Sequence, residues 1–146
     1  LTCLTRYYYK VYFIETFMAP FREFELLSGV KILLGKSAES NEDLVSQVMP
    51  TETVLHTVMP GSPFCKIKCE NPTKVEIKEA AIYTAKYSQD WRDNKKDVSV
   101  HVFRGADIYK EKKMKLGTFH VKKFDVVKVK KADIRNLEEN LEKQIK

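Results

Sequence analysis

Apolar positions fall into short runs and two longer periodic stretches, and the residues between them mark the turns. Residues 24–27 and 30–34 are two apolar runs joined by Ser28-Gly29, which predicts a tight β-hairpin. Leu44, Val45 and Val48 give one apolar side to a short helix; Ser40 with Asp43 three residues on reads as its capped start and Pro50 as its end. Residues 53–59 read as a strand, Pro60-Gly61-Ser62-Pro63 as a turn and residues 64–69 as the returning strand. Thr73-x-x-Glu76 is a capping box, and Val75, Ile77, Ala80, Ala81, Ile82 and Ala85 follow at spacings that suit a helix of about sixteen residues ending near Ser88.

Residues 89–97 are polar and read as a loop. Val98, Val100 and Val102 then alternate with Ser99, His101 and Phe103 as a strand does, and Gly105 closes it. Residues 110–115 form a basic turn before Gly117, and residues 118–121 and 124–129 read as one long strand or a bulged pair. Ile134, Leu137, Leu141 and Ile145 mark one face of a terminal helix, with Asp133 as its cap. These elements predict an α+β fold: a single domain whose mainly antiparallel sheet packs against one long helix, with a short helix after the first hairpin and a C-terminal helix.

Composition narrows the class. At 146 residues, with 43% apolar and 32% charged, the chain has the balance of one domain able to bury a core. No stretch is long and charge-free enough to span a membrane, since Lys10 and Glu15 interrupt the apolar run over residues 7–17. Nor does a basic segment precede an unbroken apolar one, so no secretory signal is expected and a cytoplasmic location is. Met18-Ala19-Pro20 has the character of a start, which makes residues 1–17 an upstream or cloning-derived extension, residues 18–131 the domain and residues 132–146 the terminal helix.

Three cysteines fit neither a disulfide framework nor a zinc module, because Cys65-x-x-x-Cys69 lacks two further ligands. They read as buried thiols. No nucleophile stands beside a base and no metal-binding constellation is present, so no cofactor and no enzymatic activity are expected. Charge is more informative. Residues 86–131 hold fourteen Lys/Arg against six Asp/Glu, whereas residues 1–85 are nearly balanced at nine against ten. A localised basic field attracts polyanions, and a solvated lysine-rich surface would show the same composition.

Several residues can contact such a ligand. Gly35 permits close backbone approach, Lys36 offers a point charge and the following helix start presents N–H groups, while Asn41 either joins them or braces the turn. His56 can donate and accept, and Gly61 and Ser62 either meet phosphate or satisfy their own turn. Tyr87, Trp91 and Arg92 put aromatic faces beside positive charge, which suits looped RNA, or else anchor the loop on the core. Lys110, Lys112, Lys113 and Lys115 form a nonspecific phosphate-binding turn or a solvated one.

Taken together, Gly35-Lys36-Ser37, Asn41-Glu42-Asp43-Leu44, His56, Pro60-Gly61-Ser62, Glu79-Ala80-Ala81 and Tyr87-Ser88 resemble the NFACT-R domain, also described as fibronectin-binding-like. The likeness runs from about Glu25 to Lys131 with its motifs in order. Two positions depart from the family pattern: Val54 stands where a tryptophan is usual, and Pro63 where a histidine follows the Gly-Ser pair. The resemblance implies a noncatalytic RNA-binding module for tRNA or ribosomal RNA, in translation or ribosome quality control and in reach of the large ribosomal subunit. The site it implies comprises Lys36, Asn41, His56, Gly61 and Ser62, and the charge pattern adds Arg92 and the four turn lysines. A protein-interaction module without nucleic-acid binding is the alternative. For the terminal helix, docking on its own domain and pairing two chains as a homodimer both stay open.

Overall fold

A computed structural model describes residues 20–145; the expected extension over residues 1–17 lies outside the described residues. The elements run β1 (Phe21–Glu25), β2 (Lys31–Gly35), α1 (Ala38–Ser46), β3 (Thr53–Thr57), β4 (Cys65–Ile67), α2 (Lys74–Lys86), α3 (Gln89–Asn94), β5 (Val98–Arg104), a 3-10 turn (Gly105–Asp107), β6 (Ile108–Tyr109), β7 (His120–Val121), β8 (Asp125–Val129) and α4 (Lys131–Ile145). Six strands form one sheet in the order β1-β2-β4-β3-β5-β8, and each neighbouring pair is antiparallel. The small β6–β7 ribbon stands apart. The expected α+β architecture is what the chain adopts.

Strand alternation divides the side chains between two faces. Ile32, Leu34, Leu55, Cys65, Ile67, Val98, Val100 and Val129 point to one side and are buried with Ala80, Ala81 and Ala85 of α2. The alanines carry so little bulk that α2 lies close against the sheet. Ile134 of α4 enters the same cluster, and Lys86 of α2 meets Glu138 at 3.8 Å, so this helix docks on its own domain. On the other face Leu44, Val54, Phe64 and Phe103 make a smaller second cluster.

The capping box predicted at Thr73 and Glu76 is present. The hairpin turn is also as expected, with Gly29 at φ +93, a conformation that costs glycine nothing. Five details differ. The first helix is capped by Ser37 with Ser40 as its reciprocal partner, one turn earlier than Ser40 and Asp43 implied, because two serines suffice to close the box. Residues 89–94 form a short helix, α3, whose start is held by the Ser88 hydroxyl accepting from Trp91 N–H at 3.1 Å. Trp91 is 1% exposed and belongs to the main core, so the anchoring role holds and no aromatic face is offered there. Residues 118–129 are not one strand, since β7 pairs with β6 while β8 joins the sheet beside β5. Finally, α4 starts before Asp133; Asp97, from the loop before β5, accepts from Lys131 N–H at 2.9 Å and leaves Asp133 in the first turn. Cys65 is buried as expected, whereas Cys69 is only half-buried.

Candidate nucleic-acid interface

Helices α2 and α4 cover one face of the sheet; the opposite face is only partly covered, by α1 and the β6–β7 ribbon, and a cleft of about 690 Å³ opens between them. His56 and His101 sit in it as direct cross-strand partners on β3 and β5. Each lies against an aromatic ring: His56 is 4.5 Å from Phe64 and His101 is 4.0 Å from Phe124, centroid to centroid. Phe119 meets Phe64 edge-on at 5.4 Å, and this row of rings lines one side of the cleft. Phe124, Leu116 and Val58 at its mouth are 49%, 50% and 45% exposed, an unusual amount of apolar surface for a concave site.

Burial holds both His56 and His101 below the ordinary histidine range; for His56 the charge of a protonated His101 acts in the same direction, and the Thr57 carbonyl opposes it. His56 Nδ1 lies 2.8 Å from the Thr57 carbonyl oxygen. A carbonyl can only accept, so Nδ1 carries the proton and Nε2 of the neutral ring is an acceptor.

The wall at residues 60–63 is fixed by internal bonds. Gly61 has φ +84, and its carbonyl accepts from Gln89 N–H at 2.8 Å, which ties the turn to the start of α3. The buried Ser62 hydroxyl donates to the Pro63 carbonyl at 2.8 Å and accepts from Thr57 N–H at 3.3 Å. Asn41 Oδ1 accepts from Phe64 N–H at 3.0 Å while Nδ2 donates to the Ser62 carbonyl at 3.4 Å. Gly35 exists to admit that amide, since a Cβ there would lie 2.0 Å from Asn41 Oδ1. Thus Asn41 and Ser62 brace the wall, and Gly35 makes room for the brace rather than for a ligand.

Cations surround this frame. Arg22 lies over the Tyr87 ring at 4.4 Å, and Arg92 donates to Gln89 Oε1 at 2.8 Å; both line the cleft with Lys36. The backbone N–H groups of Lys36 and Ser37 donate to the Ser40 hydroxyl at 2.7 and 2.8 Å, so the loop does not present them as an open phosphate cradle.

The residues singled out in the sequence divide into two places. Lys36, Asn41, His56, Gly61, Ser62 and Arg92 all line the cleft. Lys112, Lys113 and Lys115 are exposed on the separate turn beyond it, and Lys110 there is paired with Glu42 of α1 and lies 4.7 Å from the Phe119 ring. Glu42 also accepts from Gly117 N–H at 3.0 Å, and the Lys110 contact, with this bond, holds its carboxyl below the usual range. Sequence reasoning missed Arg22, His101, Phe119 and Phe124. His101 had a visible signal: it alternates with Val100 and Val102, so it had to point away from their core. Val54 is fully buried in the second cluster, so the substitution at that position alters the interior, and the ring surface of the cleft comes from Phe64, Phe119 and Phe124.

Among the described residues no helix is long and apolar enough to cross a membrane, and no group of His, Cys, Asp and Glu could hold a metal ion. Comparison with curated proteins returned no match. Among solved structures, the C-terminal part of the fibronectin/fibrinogen-binding protein from Streptococcus suis shares the fold with a TM-score of 0.69 at 18% identity. That match covers 78% of this chain but only 48% of the streptococcal one, so the chain spans about half of the structure it resembles. Residues 20–123 match the family described as the NFACT protein RNA binding domain, a span containing β1 through β7 and every wall of the cleft except Phe124. The chain belongs to the NFACT RNA-binding domain family.

Proposed function

We propose that this chain is a noncatalytic RNA-binding module, and that the cleft face is where RNA docks. One observation carries the reading: Arg22, Lys36 and Arg92 stand around a cleft whose interior is aromatic rings and neutral imidazoles. Cations at a rim attract the phosphate backbone, whereas rings inside a concave site accept bases that have left a helix. The turn bearing Lys112, Lys113 and Lys115 extends the positive field without reading sequence. Membership of an RNA-binding family supports a structured RNA such as tRNA or ribosomal RNA, in translation or ribosome quality control.

Fluorescence anisotropy with labelled tRNA, an unstructured RNA and duplex DNA, each over a salt series, tests this. The expected result is preference for tRNA, an affinity that falls log-linearly with salt, and weaker binding by both Lys36→Glu and Arg92→Glu proteins. Equal, weak binding to all three polyanions that neither substitution changes would leave only a basic surface. Capture of fibronectin with no RNA binding would instead support a protein-interaction module.

A further inference from the structure

The geometry points to a slot for one unstacked nucleotide in this cleft, its base lying on Phe124 at the mouth and meeting the His56–His101 pair with its edge. The inference rests on the RNA-binding reading of the face and narrows it from a surface to a single-nucleotide site.

Three observations converge. Phe124 is 49% exposed although its ring already lies 4.0 Å from His101, so the pair offers an accessible π surface inside a concavity. Stacking on such a surface is tolerant of base identity because every base has a π face. Next, the polarity of the floor is defined. The Thr57 carbonyl engages His56 Nδ1–H, and Nε2 is left as an acceptor suited to the N–H donors that all four bases carry on their edges. Last, Arg22 and Arg92 at the rim place positive charge where the phosphate of a bound nucleotide would emerge.

Size selects the ligand further. A volume of about 690 Å³ lies within the roughly 300–1,000 Å³ of small-ligand sites, so it admits a nucleotide. Paired bases in an A-form helix remain stacked and cannot enter, so the slot selects a loop, bulge or end. An uncharged apolar ligand would make no use of the arginines, and a bare phosphate would make none of the rings.

The test is NMR of the 146-residue protein, following the imidazole Cε1–Hε1 signals of His56 and His101 at neutral pH. The four nucleoside 5′-monophosphates are titrated in parallel with ribose 5-phosphate. The monophosphates should shift both signals with saturation, ribose 5-phosphate should leave them nearly in place, and Phe124→Ala should raise the mononucleotide Kd by roughly fivefold or more with only a small change in urea midpoint. Equal shifts from ribose 5-phosphate would overturn the slot in favour of a phosphate site. Unshifted histidines in a protein that still binds tRNA would overturn it while leaving the RNA reading standing. Conversely, shifts from mononucleotides without tRNA binding would uphold the slot and sink the RNA reading.

Discussion

The two faces of the sheet are made from the same strands and do opposite work. On β5, Val98, Val100 and Val102 enter a core sealed by α2, while His101 and Phe103 line the cleft. The sealed side is mainly aliphatic apart from Trp91, with alanines letting the helix approach; the cleft on the open side is lined by aromatic rings and imidazoles, materials that tolerate partial hydration. Because strand side chains alternate, moving one residue along β5 from Val100 to His101 exchanges a stabilising role for a place in the cleft. Substitutions in the sealed core and at the exposed rings of the cleft should therefore separate folding from binding.

The largest contrast is expected between Leu55→Ala and Phe124→Ala. Leu55 is fully buried, and its truncation should lower the unfolding free energy by about 2–5 kcal/mol, read as a lower urea midpoint at unchanged slope. Phe124 is half-exposed and should cost less than about 1 kcal/mol there. Equal losses from both would erase the distinction between the faces.

A smaller effect tests the brace behind the cleft wall. Gly35→Ala drives a methyl onto the Asn41 amide and should cost about 1–3 kcal/mol by urea unfolding. Adding Asn41→Ala should recover part of it, because the clash partner is gone; strictly additive losses would show that Gly35 serves something other than the brace.

Smaller again is the pH effect. His56 and His101 have pKa values below the ordinary 6.5, so below that value the unfolded chain takes up protons that the folded one refuses. Stability should be flat above the ordinary value, decline as pH falls below it, and level off once pH passes the depressed folded pKa values. His56→Phe should flatten part of that decline in urea midpoints measured across pH, and an unchanged profile would show that burial does not hold the His56 ring neutral.

The least perturbing probe is thiol chemistry. Burial pushes the Cys65 thiol up to about 12, so Cys65 should be labelled only through unfolding, while the half-buried Cys69 reacts well before it. Peptide mapping after a timed exposure to a maleimide reads the order, and simultaneous labelling would mean that the sealed interior opens as readily as its margin, where Cys69 packs.

The sheet and α2 were legible because their signals are local: period-two valines in β5 and a capping box before an alanine-rich face. Helix α3 was not, because its six residues are almost wholly polar and its stability comes from the Ser88 cap and the burial of Trp91. The start of α1 was misplaced by three residues because Ser37 and Ser40 are both competent caps and only the folded geometry ranks them. For the cleft, the family motifs led to Asn41, Gly61 and Ser62, which turn out to hold its wall. The two imidazoles and Phe124 are brought together by the β3–β5–β8 register, while Phe64 arrives at the start of β4 and Phe119 beside β7 of the separate ribbon, long-range facts that no local pattern encodes.

Glu42 gives the basic turn a further property. One carboxylate receives both the Lys110 ammonium and Gly117 N–H, and the same ammonium donates to the Lys115 carbonyl at 3.1 Å. The segment is thereby stapled into a small ring at its base. With the ends held by α1, changing the length of the tip between them costs only about 0.6 kcal/mol per doubling. The exposed tip at Lys112 and Lys113 is thus a natural insertion point for a fluorophore tag or a photocrosslinker, close enough to the cleft, whose mouth Leu116 of the same turn lines, to report what docks there.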